Sequence, residues 1–160
     1  MTQLPSCREL PQITTIIPTF RRPRLLKRAL RSVLNQTYPH FRVCGYDNAS
    51  GDETAAAVAE TAQGDPRVQY HCHPENIGLC RNFLFGQERV ETPYFSFLSD
   101  DDILLPNFYQ DALEGFQKFP EAAFSALGMV LMNADEKLGN MALERWPEDL
   151  VGPPRAFKRC

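Results

Sequence analysis

Three adjacent carboxylates, Asp100, Asp101 and Asp102, follow directly on the aromatic run Tyr94-Phe95-Ser96-Phe97-Leu98. Two unit charges ~6 Å apart at an effective dielectric of ~20 repel by roughly 3 kcal/mol, so such a cluster at the end of a buried element demands a counter-charge or a raised pKa. A hard divalent cation meets that demand. Oxygen donors of this kind suit Mg²⁺ or Mn²⁺, which keep coordination sites for water and for substrate phosphates. Taken locally, one Asp capping the next helix, with the others solvated, accounts for the same residues.

A second polar constellation, Tyr46-Asp47-Asn48-Ala49-Ser50-Gly51-Asp52, closes a strand-like run at 41–46. An Asp or Asn at a strand's carboxyl end can hydrogen-bond a base or a ribose hydroxyl, although Asp, Asn, Ser and Gly also form turns for reasons unrelated to ligands. Pro18-Thr19-Phe20-Arg21-Arg22 offers a stacking ring and two guanidinium groups, or else a solvated face. Neither G-x-G-x-x-G nor a Walker A string occurs, which removes the main support for the common dinucleotide and P-loop readings. In His71-Cys72-His73 the two imidazoles share one strand face and the thiol takes the other; with no second cluster, a zinc shell is not expected.

The elements that position these loops follow from periodicity. A β-branched strand at 13–17 precedes a helix whose apolar positions are Leu25, Leu26, Ala29, Leu30, Val33 and Leu34, with Pro23 in its first turn. A strand at 41–46, a helix at 53–63 and a strand at 67–72 come next, then a helix at 77–89 capped by Asn76. A buried strand is expected at 94–98, a helix opened by Pro106 and stopped by Pro120, and a fifth strand at 122–132. Strands alternating with helices predict right-handed crossovers and a mostly parallel α/β sheet. Ligands of such sheets bind outside the strands' carboxyl ends, so the loops at 18–22, 47–52, 73–78 and 99–102 are expected to converge on one edge.

Composition sets the outer limits. At 160 residues with 43% hydrophobic and 23% charged content, one ordinary globular domain can bury its core unaided by disulfides or a structural metal. Five cysteines without a C-x-x-C pair read as free thiols. No apolar run approaches the ~20 residues that span a bilayer, and the polar, proline-broken start lacks a secretory pattern, so a cytoplasmic location is expected. Between Arg21 and Arg31 lie six of the seventeen basic residues and no acid: Arg21, Arg22, Arg24, Lys27, Arg28 and Arg31. That field suits anionic groups, and peripheral membrane association is one use of it, a solvated helix face the other. Nucleic acid is not an expected partner.

The order and spacing of these motifs resemble glycosyltransferase family 2, the nucleotide-sugar-dependent enzymes of the GT-A fold. The resemblance runs from Thr14 to Phe119. It rests on Ile16-Ile17-Pro18-Thr19-Phe20-Arg21-Arg22-Pro23, Ser32-Val33-Leu34-Asn35-Gln36-Thr37-Tyr38-Pro39, Asp47-Asn48-Ala49-Ser50, Asn76-Ile77-Gly78 with Arg81-Asn82, and the acidic cluster with Pro106. Phe20 stands where the family often has Tyr, Arg21 where Asn is usual, Asn48 where many members have a second Asp, and Ser99 at a position that is often Asp.

The resemblance implies a Rossmann-like GT-A domain at 13–132, between an extension at 1–12 and an incomplete segment at 133–160, with the chain truncated on its C-terminal side. Pro18, Thr19, Phe20 and Arg22 with Asp47 and Asn48 would hold base and ribose. Asn76, Gly78 and Arg81 would approach the nucleotide or its diphosphate. Asp100 would serve ribose and metal, and Asp101 would be the principal ligand of Mn²⁺ or Mg²⁺, with Asp102 beside it. The implied partners are a nucleotide-sugar donor, UDP- or dTDP-linked, and a glycan or lipid-linked acceptor, as in polysaccharide biosynthesis. The family's general base lies beyond the fifth strand. Glu144, Glu148 and Asp149 do not supply its expected surroundings, which leaves a non-catalytic nucleotide-sugar-binding module as the alternative.

Overall fold

The computed structural model describes residues 12–128 and 130–131. The chain divides into two compact units, Met1–Tyr109 and Gln110–Cys160. Its elements are β1 (Ile13–Thr19), α1 (Pro23–Leu34), β2 (Phe41–Asp47), α2 (Thr54–Ala62), β3 (Val68–Cys72), α3 (Leu79–Gln87), β4 (Tyr94–Phe97) and α4 (Phe108–Lys118). The four strands form one parallel sheet in the order β3-β2-β1-β4, with Ile13 level with Phe41 on one side and with Tyr94 on the other.

Every residue of β1 is buried, as a strand covered on both faces must be. The crossovers β1-α1-β2 and β2-α2-β3 run in one direction and β3-α3-β4 in the other. With right-handed connections, α1 and α2 therefore share one face and α3 takes the opposite one. Leu26, Ala29, Leu30 and Val33 form the buried stripe of α1, and Lys27 pairs with Glu60 of α2. On the other face α3 approaches closely because Gly86 has no side chain: a Cβ there would lie 2.7 Å from Ile16 Cγ2 and 2.9 Å from the Tyr46 ring.

Three expectations need correction. The run at 122–132 forms no strand in its described part, and Phe124 and Leu131 are exposed there. An apolar run becomes a strand only when a neighbouring edge takes up its N–H and C=O groups, and the described sheet ends at β4. For the same reason β4 is the edge of the described sheet and is not buried: Phe95 and Phe97 are 45% and 42% exposed. The helix expected from residue 77 starts at Leu79, because Asn76 Oδ1 accepts the Gly78 N–H (2.9 Å) ahead of it and Gly78 adopts φ +86°. Only glycine takes that conformation without strain. Glu144, Glu148 and Asp149 lie outside the described residues, as do most of 1–12 and all of 133–160.

Candidate functional site

Strand order reverses between β1 and β4, and there the carboxyl ends of the two strands are tied together. Thr19, the last residue of β1, donates its hydroxyl to Asp100 Oδ2 at 2.7 Å. Arg22, one turn of chain later, places Nη1 3.2 Å from Asp100 Oδ1 and 3.2 Å from Asp101 Oδ2. Asp100 is thus held on both oxygens and its side chain is nearly buried, whereas half of the Asp101 side chain is exposed. Asp102 has its pKa raised by burial and by the charges of Asp101 and Asp100. The repulsion expected of adjacent carboxylates is present, and one guanidinium partly offsets it.

The acidic loop is anchored from behind by the end of α1. Ser32 Oγ accepts the Leu104 N–H (3.0 Å), Gln36 Nε2 donates to the Leu105 carbonyl (2.7 Å), and the Thr37 N–H donates to the Pro106 carbonyl (2.9 Å). Gln36 Oε1 also accepts the Tyr109 N–H (3.2 Å), and the Tyr109 hydroxyl bonds Thr15 in the core. The polar residues of Ser32-Val33-Leu34-Asn35-Gln36-Thr37 therefore clamp the segment that carries the carboxylates.

The loop after β2 is built differently. Asp47 is 2% exposed. Its Oδ1 accepts the Ser50 N–H (3.0 Å), and its Oδ2 accepts the Tyr70 hydroxyl (2.6 Å) and the Cys72 thiol (3.6 Å). Burial and the bond to Asp47 both raise the pKa of Tyr70. Asn48 donates to Asn76 Oδ1 (2.9 Å) and accepts the Ile77 N–H (2.8 Å), binding the β2 and β3 loops together. Asn82, fully buried on α3, donates to the Tyr46 carbonyl (2.9 Å) and pairs with His73 Nε2 (2.9 Å).

The β1 loop joins this frame through its backbone. The Asn48 N–H donates to the Thr19 carbonyl (3.0 Å), and the Arg21 N–H donates to Ser50 Oγ (2.7 Å). Arg21 and Ala49 both adopt left-handed backbone, at φ +55° and +62°. Phe20 is 37% exposed at the mouth, with the Arg21 guanidinium 5.0 Å from its ring centre.

The residues singled out from the sequence thus share the carboxyl edge of the sheet, in different states. Phe20, Arg22 and Asp101 are open to solvent; Thr19, Asp47, Asn48 and Asp100 are buried and bonded to protein. Asn76 and Gly78 are exposed, and so is Arg81 in the first turn of α3. Pro18 lies within β1, level with Tyr46. His71 and His73 do share a face, but the His71 ring stacks on Phe85, the His73 ring meets Phe85 edge to face, and His73 is occupied by Asn82. Sequence reading missed the supporting residues Ser32, Gln36, Ser50, Tyr70 and Asn82. A signal for Ser32, Gln36, Ser50 and Asn82 was their place inside motifs in which they had no assigned role; Tyr70 carried none.

Among the described residues, no group of three or more His, Cys, Asp and Glu side chains is gathered closely enough to form a protein-only metal shell. The donor set, one open carboxylate on Asp101 beside a fixed one on Asp100, matches the way Mg²⁺ and Mn²⁺ are held by one or two carboxylates plus phosphates and water.

A parallel α/β sheet whose polar loops meet at the switch point beside an acid cluster defines a domain of the GT-A class. The chain matches the model of the family Glycosyl transferase family 2 over residues 14–144, and it belongs to that family. It is 29% identical over 136 residues to the GalNAc(5)-diNAcBac-PP-undecaprenol beta-1,3-glucosyltransferase of Campylobacter jejuni, a match covering 84% of this chain and 42% of that protein. S. aureus TarS 1-349 in complex with UDP-GlcNAc shares the fold at a TM-score of 0.62 and 20% identity, covering 67% of this chain and 31% of that one. The mannosyltransferase PcManGT of Pyrobaculum calidifontis, in complex with GDP-Man and Mn2+, does so at 0.60 and 22%, covering 76% and 35%. The chain spans less than half the length of these relatives. Among the described residues no helix is long and apolar enough to cross a membrane.

Proposed function

We propose that this chain carries the donor-binding part of a glycosyltransferase that takes a UDP- or dTDP-linked sugar, with Mn²⁺ or Mg²⁺, and delivers the sugar to a glycan or lipid-linked acceptor. The observation that carries the reading is the pairing at the β1–β4 switch point: a buried, fixed Asp100 beside an open Asp101, with Phe20 and Arg22 at the same mouth. UDP-GlcNAc in the TarS complex and the lipid-linked substrate named for the Campylobacter enzyme support the substrate classes.

In this reading Phe20 stacks on the base, and the joined β1 and β2 loops, braced by Asp47 and Asn48, fix the shape of the cleft for base and ribose. Asp101, with Asp100 behind it, holds the divalent ion. When bound, that ion offsets the negative charge that develops on a departing nucleoside diphosphate. Arg81 sits in the first turn of α3, where a cation opposes the helix dipole and an approaching phosphate relieves the conflict. The residues of this chain position the donor and neutralise it, and they do not include an assigned general base.

Titration calorimetry of the chain with UDP, with and without Mn²⁺, tests the reading: UDP binding should be at least tenfold tighter with the metal and should outcompete GDP. Absence of binding by both UDP and dTDP, with and without the metal, overturns it. Incubation with UDP-sugars then separates transferase from binding module, since donor binding without hydrolysis or transfer identifies the module.

A further inference from the structure

Arg22 occupies an unusual position for a donor-site residue, because its charge is already engaged by the carboxylates expected to receive another cation. Its Nη1 bridges Asp100 Oδ1 and Asp101 Oδ2, each at 3.2 Å. The two halves of the residue are held very differently. Its backbone is fixed as the entry to α1, with the carbonyl accepting the Leu26 N–H at 3.0 Å, while the side chain is 52% exposed. The Arg22–Asp101 pair is exposed at both ends, and exposed ion pairs are weak enough to be exchanged. Among the described residues Asp101 has no partner besides Arg22, whereas Asp100 also has Thr19.

We propose that Arg22 is the resident cation of the acid cluster, a guanidinium that excludes a divalent ion from Asp101 until the donor arrives and that gives up Asp101 Oδ2 when the metal enters. The inference rests on the donor-site reading above and adds regulation to it. The guanidinium and the metal seek the same carboxylate oxygen and repel one another, so each weakens the other's hold. A diphosphate breaks the deadlock, because it brings oxygen ligands for the metal and an anion to which the displaced guanidinium can turn. Metal and nucleotide should therefore bind cooperatively, and the metal alone weakly. The exposed head of Arg22 can make this exchange without disturbing α1, since the backbone bond to Leu26 does not depend on it.

The test is titration of Mn²⁺ alone, and then Mn²⁺ with saturating UDP, into the wild-type chain and into Arg22→Gln, followed by calorimetry and by the loss of the free Mn²⁺ electron paramagnetic resonance signal. Removing one positive charge ~5 Å from a divalent ion should tighten binding of Mn²⁺ alone about tenfold at low salt, less at high salt. The factor by which UDP strengthens Mn²⁺ binding should shrink correspondingly. Arg22→Lys, which keeps the charge on a head without the planar fork, should fall between the two proteins. Thermal unfolding checks that each variant is folded.

Unchanged or weaker binding of Mn²⁺ alone by folded Arg22→Gln overturns the inference. The donor-site reading survives that result if wild type binds Mn²⁺ with UDP and Asp101→Asn does not. Failure of wild type to bind Mn²⁺ in the presence of either UDP or dTDP overturns both.

Discussion

The loops after β2 and after β4 have nearly the same composition, acidic and polar residues at the carboxyl ends of parallel strands, yet they end in opposite states. In the β2 loop the carboxylate of Asp47 is buried and receives donors from Ser50, Tyr70 and Cys72, and Asn48 uses both ends of its amide on Asn76 and Ile77. In the β4 loop Asp101 is half-exposed and meets a single guanidinium, and Asp102 is pushed toward its protonated form by burial and its neighbours. A loop whose polar groups satisfy one another is a frame. One left short of positive charge is where a ligand's charge has its effect.

That contrast is most severely tested by removing a carboxylate from each loop. Asp47→Ala leaves the half-buried Tyr70 hydroxyl and the Ser50 N–H without their acceptor and should cost about 3 kcal/mol, lowering Tm by roughly 10 °C. Asp101→Asn should leave Tm within about 2 °C of wild type, because it changes an exposed side chain. Its loss should appear instead as a drop of about a hundredfold in Mn²⁺-dependent UDP affinity, comparable to losing a metal-site partner. Calorimetric unfolding and UDP titration on both variants decide the matter. If Asp47→Ala unfolds no earlier, or Asp101→Asn melts the domain, the division into frame and charged edge is wrong.

How far these states could be read in advance depends on the length scale of the interaction. The helix stripe Leu26, Ala29, Leu30 and Val33 and the β-branched strand β1 are local patterns, so their existence and type followed from spacing alone. The meeting of Thr19 with Asp100 followed from topology, since parallel strands place their carboxyl ends on one edge. The occupancy of each loop was not legible. Tyr70 reaches Asp47 from β3, and Asn82 reaches Tyr46 from α3, and nothing in residue type distinguishes such partners from ordinary surface residues. The fifth strand was misjudged for a related reason: an apolar run does not encode whether an edge will receive it.

Backbone strain offers a gentler probe of the frame. Arg21 takes φ +55° because its N–H must reach Ser50 Oγ, and in this region a side chain with a Cβ is strained by about 1–2 kcal/mol. Asn tolerates it better than Arg does, which gives a physical reason for the family's usual residue at this position. Arg21→Asn forfeits the bond from Arg21 Nε to the Ser50 carbonyl (3.3 Å), so the net gain should be about 0.5 kcal/mol, or ~1–2 °C in Tm. UDP binding should be retained. A lower Tm would mean that the guanidinium, not the backbone, holds the β1 loop to the frame.

The smallest effect concerns what lies beneath the frame. His73, whose N–H donates to the Asp47 carbonyl (2.8 Å), and His71 pack edge to face, and His71 stacks on Phe85 at 4.9 Å. Burial, with lesser contributions from His73 and Arg89, lowers the pKa of His71. A histidine whose folded pKa is depressed favours the folded state at pH values above its unfolded pKa of ~6.5, and that contribution is lost as pH falls through the folded value. Acidification from pH 7.5 to 5.5 should therefore lower Tm. In His71→Phe, which keeps a ring against Phe85 but cannot be protonated, the fall should be shallower. Equal slopes for the two proteins would place the acid sensitivity elsewhere. A shallower slope accompanied by unchanged Mn²⁺-dependent UDP affinity at neutral pH would assign it to the support of the β2 loop and leave the charged edge at β4 untouched.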